Sequence, residues 1–159
     1  MTKKILVAYA SKCGSTGEVA EAMRKALCET GASVDVRLAK AVRDVSGYQG
    51  VIVGSAIRLG QWLPEALQFI KRHQAALSRV PVAYFSVGSF LRDGTAKSRQ
   101  DAAASQNAAR AGFECQSSPV RLSVSTYAPP RPTSNRQRLV SNFTGCAILA
   151  ARAFRRAEI

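Results

Sequence analysis

Short apolar runs alternate along the chain with longer amphipathic segments. The near-continuous apolar runs at residues 5–10 and 51–54 are typical of central strands that are buried on both faces. Residues 34–38 alternate like a half-buried strand, and 80–87 supply a fourth strand with its proline near the start. A candidate fifth strand covers 120–124.

Segments with helical spacing separate these strands. Residues 15–18 read as a capping box, and the helix that follows is predicted to run up to Gly31. Further helices are predicted over 64–78, 97–112 and 139–153, with a short one over 41–47 and a proline-rich loop over 127–135. This order predicts an α/β fold, a doubly wound five-stranded parallel sheet with helices on both faces. Ligands of such sheets bind beyond the carboxyl ends of the strands, so we expect the site in the loops after strands one, three and four.

Length and composition point to one domain. The 159 residues are 47% apolar and show no repeat or long linker, so we expect a single domain over 1–159. The four cysteines form no C-x-x-C pair and His73 is the only histidine, so we expect neither a disulfide framework nor a metal site. The apolar runs are too short for a secretory signal or a membrane span, and we expect a cytoplasmic location.

The chain is strongly basic, with a formal charge of +13 from 23 basic and 10 acidic residues. The excess is spread along the chain, which is typical of a solvated surface but also suits an acidic partner, an anionic lipid or a nucleic acid. Nucleic acid is disfavoured because the basic residues cluster on no single element and no RNA-binding motif is present.

The loop after the first strand carries the clearest candidate chemistry. It leads directly into a helix and consists of Ser11, Lys12, Cys13, Gly14, Ser15 and Thr16. Hydroxyls and unpaired backbone N–H groups at the positive end of a helix dipole are suited to hold a phosphate. The glycine patterns of Walker A loops and of dinucleotide-binding folds are absent. An ordinary serine-capped helix after a tight turn is the alternative interpretation.

This loop also carries a family resemblance. Ser11-x-Cys13-Gly14-x-Thr16 resembles the flavodoxin phosphate loop [ST]-x-T-G-x-T, with cysteine where threonine commonly stands. Segments 53–64 and 80–87 resemble the flavodoxin-domain branch that includes menaquinone-dependent protoporphyrinogen oxidases. The resemblance covers roughly residues 3–112. It implies a flavodoxin-like fold that binds flavin mononucleotide (FMN).

The resemblance also implies which residues lie near the flavin. The loop after strand three contributes Ser55, Ala56, Ile57, Arg58, Leu59, Gly60 and Trp62. The loop after strand four contributes Ser86, Val87, Gly88, Ser89 and Phe90. Apolar side chains in these loops suit the isoalloxazine ring, although plain packing is the alternative for Trp62 and Phe90. A cation such as Arg58 near the ring would raise its reduction potential, and a solvated or phosphate-facing arginine is the alternative.

The implied activity is that of an FMN-dependent oxidoreductase that resembles the protoporphyrinogen oxidases and uses a quinone acceptor. A flavodoxin-type electron carrier and a flavin-free basic binding module are the alternatives. Many carriers of this fold are acidic, so the charge of +13 favours the enzyme. Expected partners are a redox protein or a quinone or porphyrin-type molecule, and an anionic membrane surface is a further candidate. A response-regulator receiver is disfavoured because the required acidic residues are missing.

Beyond Gly112 the chain diverges from these relatives, since 123–138 are rich in serine, proline and arginine. Either divergence of the lineage or a change of reading frame would account for this. Elsewhere, His73 is expected on a polar helix face, and Cys28 is expected to be half-buried. Cys13 differs, because a thiol at a helix start is open to oxidation.

Overall fold

The computed structural model of the chain describes residues 2–88, 95–111 and 123–126. Its strands are β1 Lys4–Ala10, β2 Ser33–Leu38, β3 Gly50–Arg58, β4 Gln61–Trp62, β5 Val82–Val87 and β6 Ser123–Thr126. Its α-helices are α1 Ser15–Cys28, α2 Pro64–Leu77 and α3 Ala96–Ala111. The predicted loop 127–135 and the predicted helix 139–153 lie outside the described residues.

Five strands pair in parallel in the order β2-β1-β3-β5-β6, and the short β4 pairs antiparallel with β3. Helix α1 packs on one face of this sheet and α2 packs on the other. The predicted fold class, a doubly wound parallel sheet with helices on both faces, is confirmed. The fifth strand is found slightly later in the chain than predicted, at Ser123–Thr126.

Strand β1 shows why its sequence is apolar throughout. Ile5 and Val7 pack under α1, whereas Leu6, Ala8 and Ala10 belong to the cluster that α2 covers. Both faces are therefore buried, as the unbroken apolar run predicts for a central parallel strand.

The predicted short helix over 41–47 is wrong. The structure has a single 3-10 turn at Ala39–Ala41, after which the chain leaves the helical conformation at Val42. The Asp44 carboxylate accepts hydrogen bonds from the Ser46 backbone N–H at 3.0 Å and from its hydroxyl at 2.6 Å. Such local side-chain bonds compete with helix formation. Beyond this turn, Tyr48 donates a 2.7 Å hydrogen bond to Asp35, and burial together with this carboxylate raises the pKa of Tyr48.

The predictions for His73 and Cys28 are also wrong. His73 is buried on the apolar side of α2, with its ring 4.9 Å from that of Phe69. Its polar sequence neighbours point elsewhere because His73 continues the helical spacing of Phe69 and Ile70. Cys28, at the last position of α1, is exposed.

The Phe85 side chain of β5 occupies the space beside Gly54 of β3. Gly54 pairs with Phe85 across β3 and β5, and a Cβ atom at this position would lie 1.9 Å from the Phe85 ring. The ring itself is 1% exposed and belongs to the core under α1. Only glycine leaves room for Phe85 beside β3.

We therefore expect Gly54→Ala to lower the free energy of unfolding by about 3 kcal/mol, since the ring or the strand must move to admit a methyl group. Chemical denaturation of the apoprotein measures this change. Gly47→Ala is the matched control, because no atom lies within 4 Å of its Cβ position and its φ is not positive. A Gly54→Ala protein as stable as the control would contradict the packing described here.

Candidate functional site

The ends of three parallel strands bring the predicted site residues to one edge of the sheet. The loop 11–14 follows β1, a β-hairpin continues from β3, and Gly88 follows β5. Because β1, β3 and β5 are neighbours and parallel, these three segments lie side by side. The site is thus assembled from chain segments that are far apart in sequence.

The loop between β1 and α1 has a defined shape. The Ser11 hydroxyl accepts a 2.9 Å hydrogen bond from the backbone N–H of Gly14. Gly14 is left-handed, with φ of 89°, and its carbonyl accepts the N–H groups of Gly17 and Glu18 in the first turn of α1. Glycine adopts this conformation at little cost, and it turns the chain sharply into the helix.

The predicted capping box is wrong. Gly14 is the N-cap of α1, and it has no side chain with which to cap the helix. Because the chain enters the helix through the left-handed Gly14, Ser15 is already the first helical residue. The first N–H groups of a helix have no acceptor within it, so they remain available to a group from outside.

Thr16 marks the end of this loop with an unusual feature. The residue is fully buried, yet its Oγ1 atom has no hydrogen-bond partner within the part of the chain that the structure describes. A buried hydroxyl without a partner costs about 1–3 kcal/mol, so such groups are rare in folded proteins. A bound phosphate would supply the missing acceptor, together with the free N–H groups of the same turn.

Strand β3 runs further than predicted. Ser55–Arg58 is not a loop but the end of the strand, because its ladder with β5 continues to Ala56 and β4 then pairs with Ile57 and Arg58. Leu59 and Gly60 form the two-residue turn of this hairpin, with φ of 51° and 76°. Positive φ at both positions is typical of a type I′ turn.

Three predicted site residues hold this hairpin against the sheet by hydrogen bonds and ring packing. The Trp62 indole N–H donates a 2.9 Å hydrogen bond to the Ser86 hydroxyl, and Trp62 is only 4% exposed. The Ser55 hydroxyl accepts the N–H of Leu63 at 2.9 Å and donates to the Ala56 carbonyl. The Trp62 ring packs at a tilt against Tyr84, with 6.0 Å between centroids. These contacts favour the packing role for Trp62 over stacking on a ligand.

The other predicted residues differ in exposure. Lys12, Cys13 and Gly14 are exposed in the first loop, and so are Arg58, Leu59 and Gly60 in the hairpin. Leu59 is the extreme case at 96% exposure. Ala56 and Ile57 are half-buried, Val87 and Gly88 are buried, and Ser89 and Phe90 lie outside the described residues.

Sequence reasoning missed a small pocket beside the first loop. Its volume is about 90 Å³, and it is lined by Tyr9, Ala10, Ser11, Leu38, Ala39, Lys40 and Glu65. The signal was available in part, since Lys40 follows β2 at the same sheet edge. The position of Tyr9 was not predictable, because its ring packs beside Gly17, a residue of α1, where an added Cβ would lie 3.1 Å from it.

A metal cluster and a membrane-spanning helix have requirements that can be checked against the described residues. Residues 2–88, 95–111 and 123–126 contain no group of three or more metal-ligating side chains. None of the helices within these ranges combines the length and the hydropathy that a membrane crossing requires.

Comparisons with known proteins agree with this architecture. A family profile described as flavodoxin domain matches residues 6–124. A flavodoxin from the domain Archaea superposes with a TM-score of 0.69 at 14% identity, covering 96% of this chain and 99% of that one. Oxidised flavodoxin 2 from Bacillus cereus gives a TM-score of 0.65 at 22% identity, covering 97% and 99%.

A curated relative extends the comparison. The protoporphyrinogen IX dehydrogenase [quinone] of Escherichia coli K12 is 29% identical over 91 residues, which are 56% of this chain. The chain matches only about half the length of that relative, since the aligned part is 50% of it. The profile match spans most of the chain and agrees with the sheet order: the chain belongs to the flavodoxin domain family, redox flavoproteins whose cofactor is FMN.

Proposed function

We propose that residues 11–16 hold the phosphate of FMN. The observation that carries this proposal is the buried hydroxyl of Thr16 at the start of α1, which has no hydrogen-bond partner in the described part of the chain. The left-handed Gly14 and the Ser11 hydrogen bond shape the loop in advance, so little conformational entropy is lost on binding. Lys12 is exposed in the same loop and adds a positive charge.

The hairpin is proposed to lie along the flavin ring. Leu59 exposes 96% of its surface and adopts a left-handed conformation that costs a non-glycine residue roughly 1–2 kcal/mol. An exposed, strained apolar residue at a ligand-binding edge suggests a contact that forms only when the ligand is present. In this proposal Ser55, Trp62 and Ser86 are positioning residues that hold the hairpin, and Ile57, Arg58 and Leu59 face the ring.

Replacing the unpartnered hydroxyl tests the phosphate site. Thr16→Val keeps the side-chain shape, so we expect the apoprotein to be as stable as wild type or more stable by about 1 kcal/mol. The Kd for FMN should rise about tenfold, because a hydrogen bond to a charged phosphate is lost, whereas the Kd for riboflavin should not change. Fluorescence titration with both flavins measures these constants.

Thr30→Val is the matched control. Thr30 lies beyond the far end of α1, where its hydroxyl donates to the Leu27 carbonyl at 2.7 Å. Its replacement should leave FMN affinity unchanged. Equal affinity of the Thr16→Val protein and this control for FMN would contradict the assignment of the phosphate site.

We further propose that the protein is an enzyme that oxidises a protoporphyrinogen-type substrate and passes electrons to a quinone. When bound, FMN supplies the capacity to accept electrons from a reduced substrate and to deliver them to an acceptor. Support comes from the 91-residue similarity to the quinone-linked dehydrogenase of Escherichia coli. The residues of this chain would orient the substrate, with the exposed Leu59 and Arg58 offering an apolar surface and a cation.

A carrier that only relays electrons between proteins is the second candidate function. The structural neighbours that are flavodoxins keep it open. The charge of +13 disfavours the carrier function where the redox partner is basic, because like charges oppose docking. An anionic membrane surface, where quinones reside, suits a basic protein better.

Anaerobic turnover distinguishes the two functions. FMN-loaded protein is mixed with protoporphyrinogen IX and a soluble naphthoquinone, and porphyrin fluorescence is followed. We expect a rate at least about tenfold above that of the same concentration of free FMN. A rate equal to that of free FMN, combined with rapid electron transfer from the reduced protein to a haem protein, would instead assign the carrier function.

A further inference from the structure

The loop assigned to the phosphate contains an exposed thiol. Cys13 lies between the exposed Lys12 and the left-handed Gly14, two residues before the start of α1. The hydrogen bond between Ser11 and Gly14 spans this residue and holds its backbone in the loop. Cys13 therefore belongs to the loop that is proposed to bind the phosphate, and the residue is exposed to solvent.

A second feature indicates that this segment takes a ligand. Thr16 Oγ1, three residues further on, is fully buried and has no partner among the described residues. An acceptor that binds at the start of the helix would satisfy this hydroxyl. Any ligand that bonds the Thr16 hydroxyl at the helix start also lies at the loop that contains Cys13.

Cys28 provides an internal comparison. It is also an exposed, free thiol, and it occupies the last position of the same 14-residue helix. The length of the helix separates the two cysteines by roughly 20 Å. A reagent in solution therefore reaches both thiols, but a ligand at the loop covers only one.

We propose that Cys13 is a thiol modification site at which formation of a mixed disulfide and binding of FMN exclude each other. This inference rests on the proposed phosphate site. Bound phosphate would shield the thiol, whereas a glutathione adduct would place bulk and carboxylates where the phosphate must lie. The redox state of Cys13 would thereby control whether the apoprotein can be loaded.

The modification is a thiol–disulfide exchange. Cys13 loses its proton to solvent, and its sulfur bonds to one sulfur of glutathione disulfide. The S–S bond of the reagent breaks, and the departing glutathione thiolate takes up a proton. Cys13 is oxidised to a mixed disulfide while the reagent is reduced, with one glutathione released.

The first experiment measures protection of the thiol. Apoprotein is incubated with glutathione disulfide, digested with trypsin and analysed by mass spectrometry, which separates Cys13 in peptide 13–24 from Cys28 in peptide 26–37. FMN at about ten times its Kd should slow modification of Cys13 about tenfold by mass action. Modification of Cys28 should not change, and riboflavin at the same concentration should protect Cys13 much less.

The second experiment measures how a glutathione adduct on Cys13 changes the affinity for FMN. Protein carrying glutathione on Cys13 should bind FMN at least about tenfold more weakly, and dithiothreitol should restore the affinity. The FMN affinity of Cys13→Ser protein should not respond to glutathione disulfide. The FMN affinity of Cys28→Ser protein should fall on treatment with glutathione disulfide, as that of wild type does.

Two results would overturn the inference: modification of Cys13 at the same rate with and without saturating FMN, or unchanged FMN affinity of the adduct. The modification rate and the FMN affinity are both measured on protein whose unmodified form binds FMN. If unmodified protein fails to bind FMN, the proposed phosphate site is itself wrong and the inference falls with it. The two failures are therefore distinguishable.

Discussion

Parallel pairing of β1, β3 and β5 places the carboxyl ends of these strands at one edge of the sheet, and the proposed FMN contacts lie beyond or near these ends. Gly54 leaves room for the ring of Phe85, its partner on β5, in the core under α1. Burial of both sheet faces under α1 and α2 fixes the register. A rigid sheet thus positions loops that would otherwise be too short and too polar to hold a shape.

Two serines and a tryptophan connect this framework to the site. Trp62 and Ser86 bond across 24 residues of sequence, and Ser55 holds the backbone where α2 begins. The hydroxyls of Ser55 and Ser86 form hydrogen bonds within the protein, whereas the Thr16 hydroxyl has no partner among the residues that the structure describes. Ser55 and Ser86 are therefore proposed to position the site, whereas Thr16 is proposed to bond the ligand.

The sequence predicted the buried strands well, because a strand covered on both faces needs an unbroken apolar run such as residues 5–10. Features that depend on contacts between residues distant in sequence could not be predicted from the apolar pattern. Leu59-Gly60 lacks the usual Asn-Gly or Asp-Gly signal of a type I′ turn, so the hairpin was taken for a loop. The serine at position 15 resembled a helix cap because the left-handed conformation of Gly14 is invisible in sequence. His73 was misassigned from its neighbours, although its spacing from Phe69 indicated the buried face.

Loop 11–16 is proposed to recognise the phosphate of FMN, and a comparison of two flavins on the wild-type apoprotein tests this recognition. FMN and riboflavin share the isoalloxazine ring and the ribityl chain and differ only in the phosphate. We expect calorimetric titration to give FMN a Kd at least about a hundredfold below that of riboflavin, since several charge-assisted hydrogen bonds depend on the phosphate. Equal affinity for the two flavins, or no binding of either, would contradict the account.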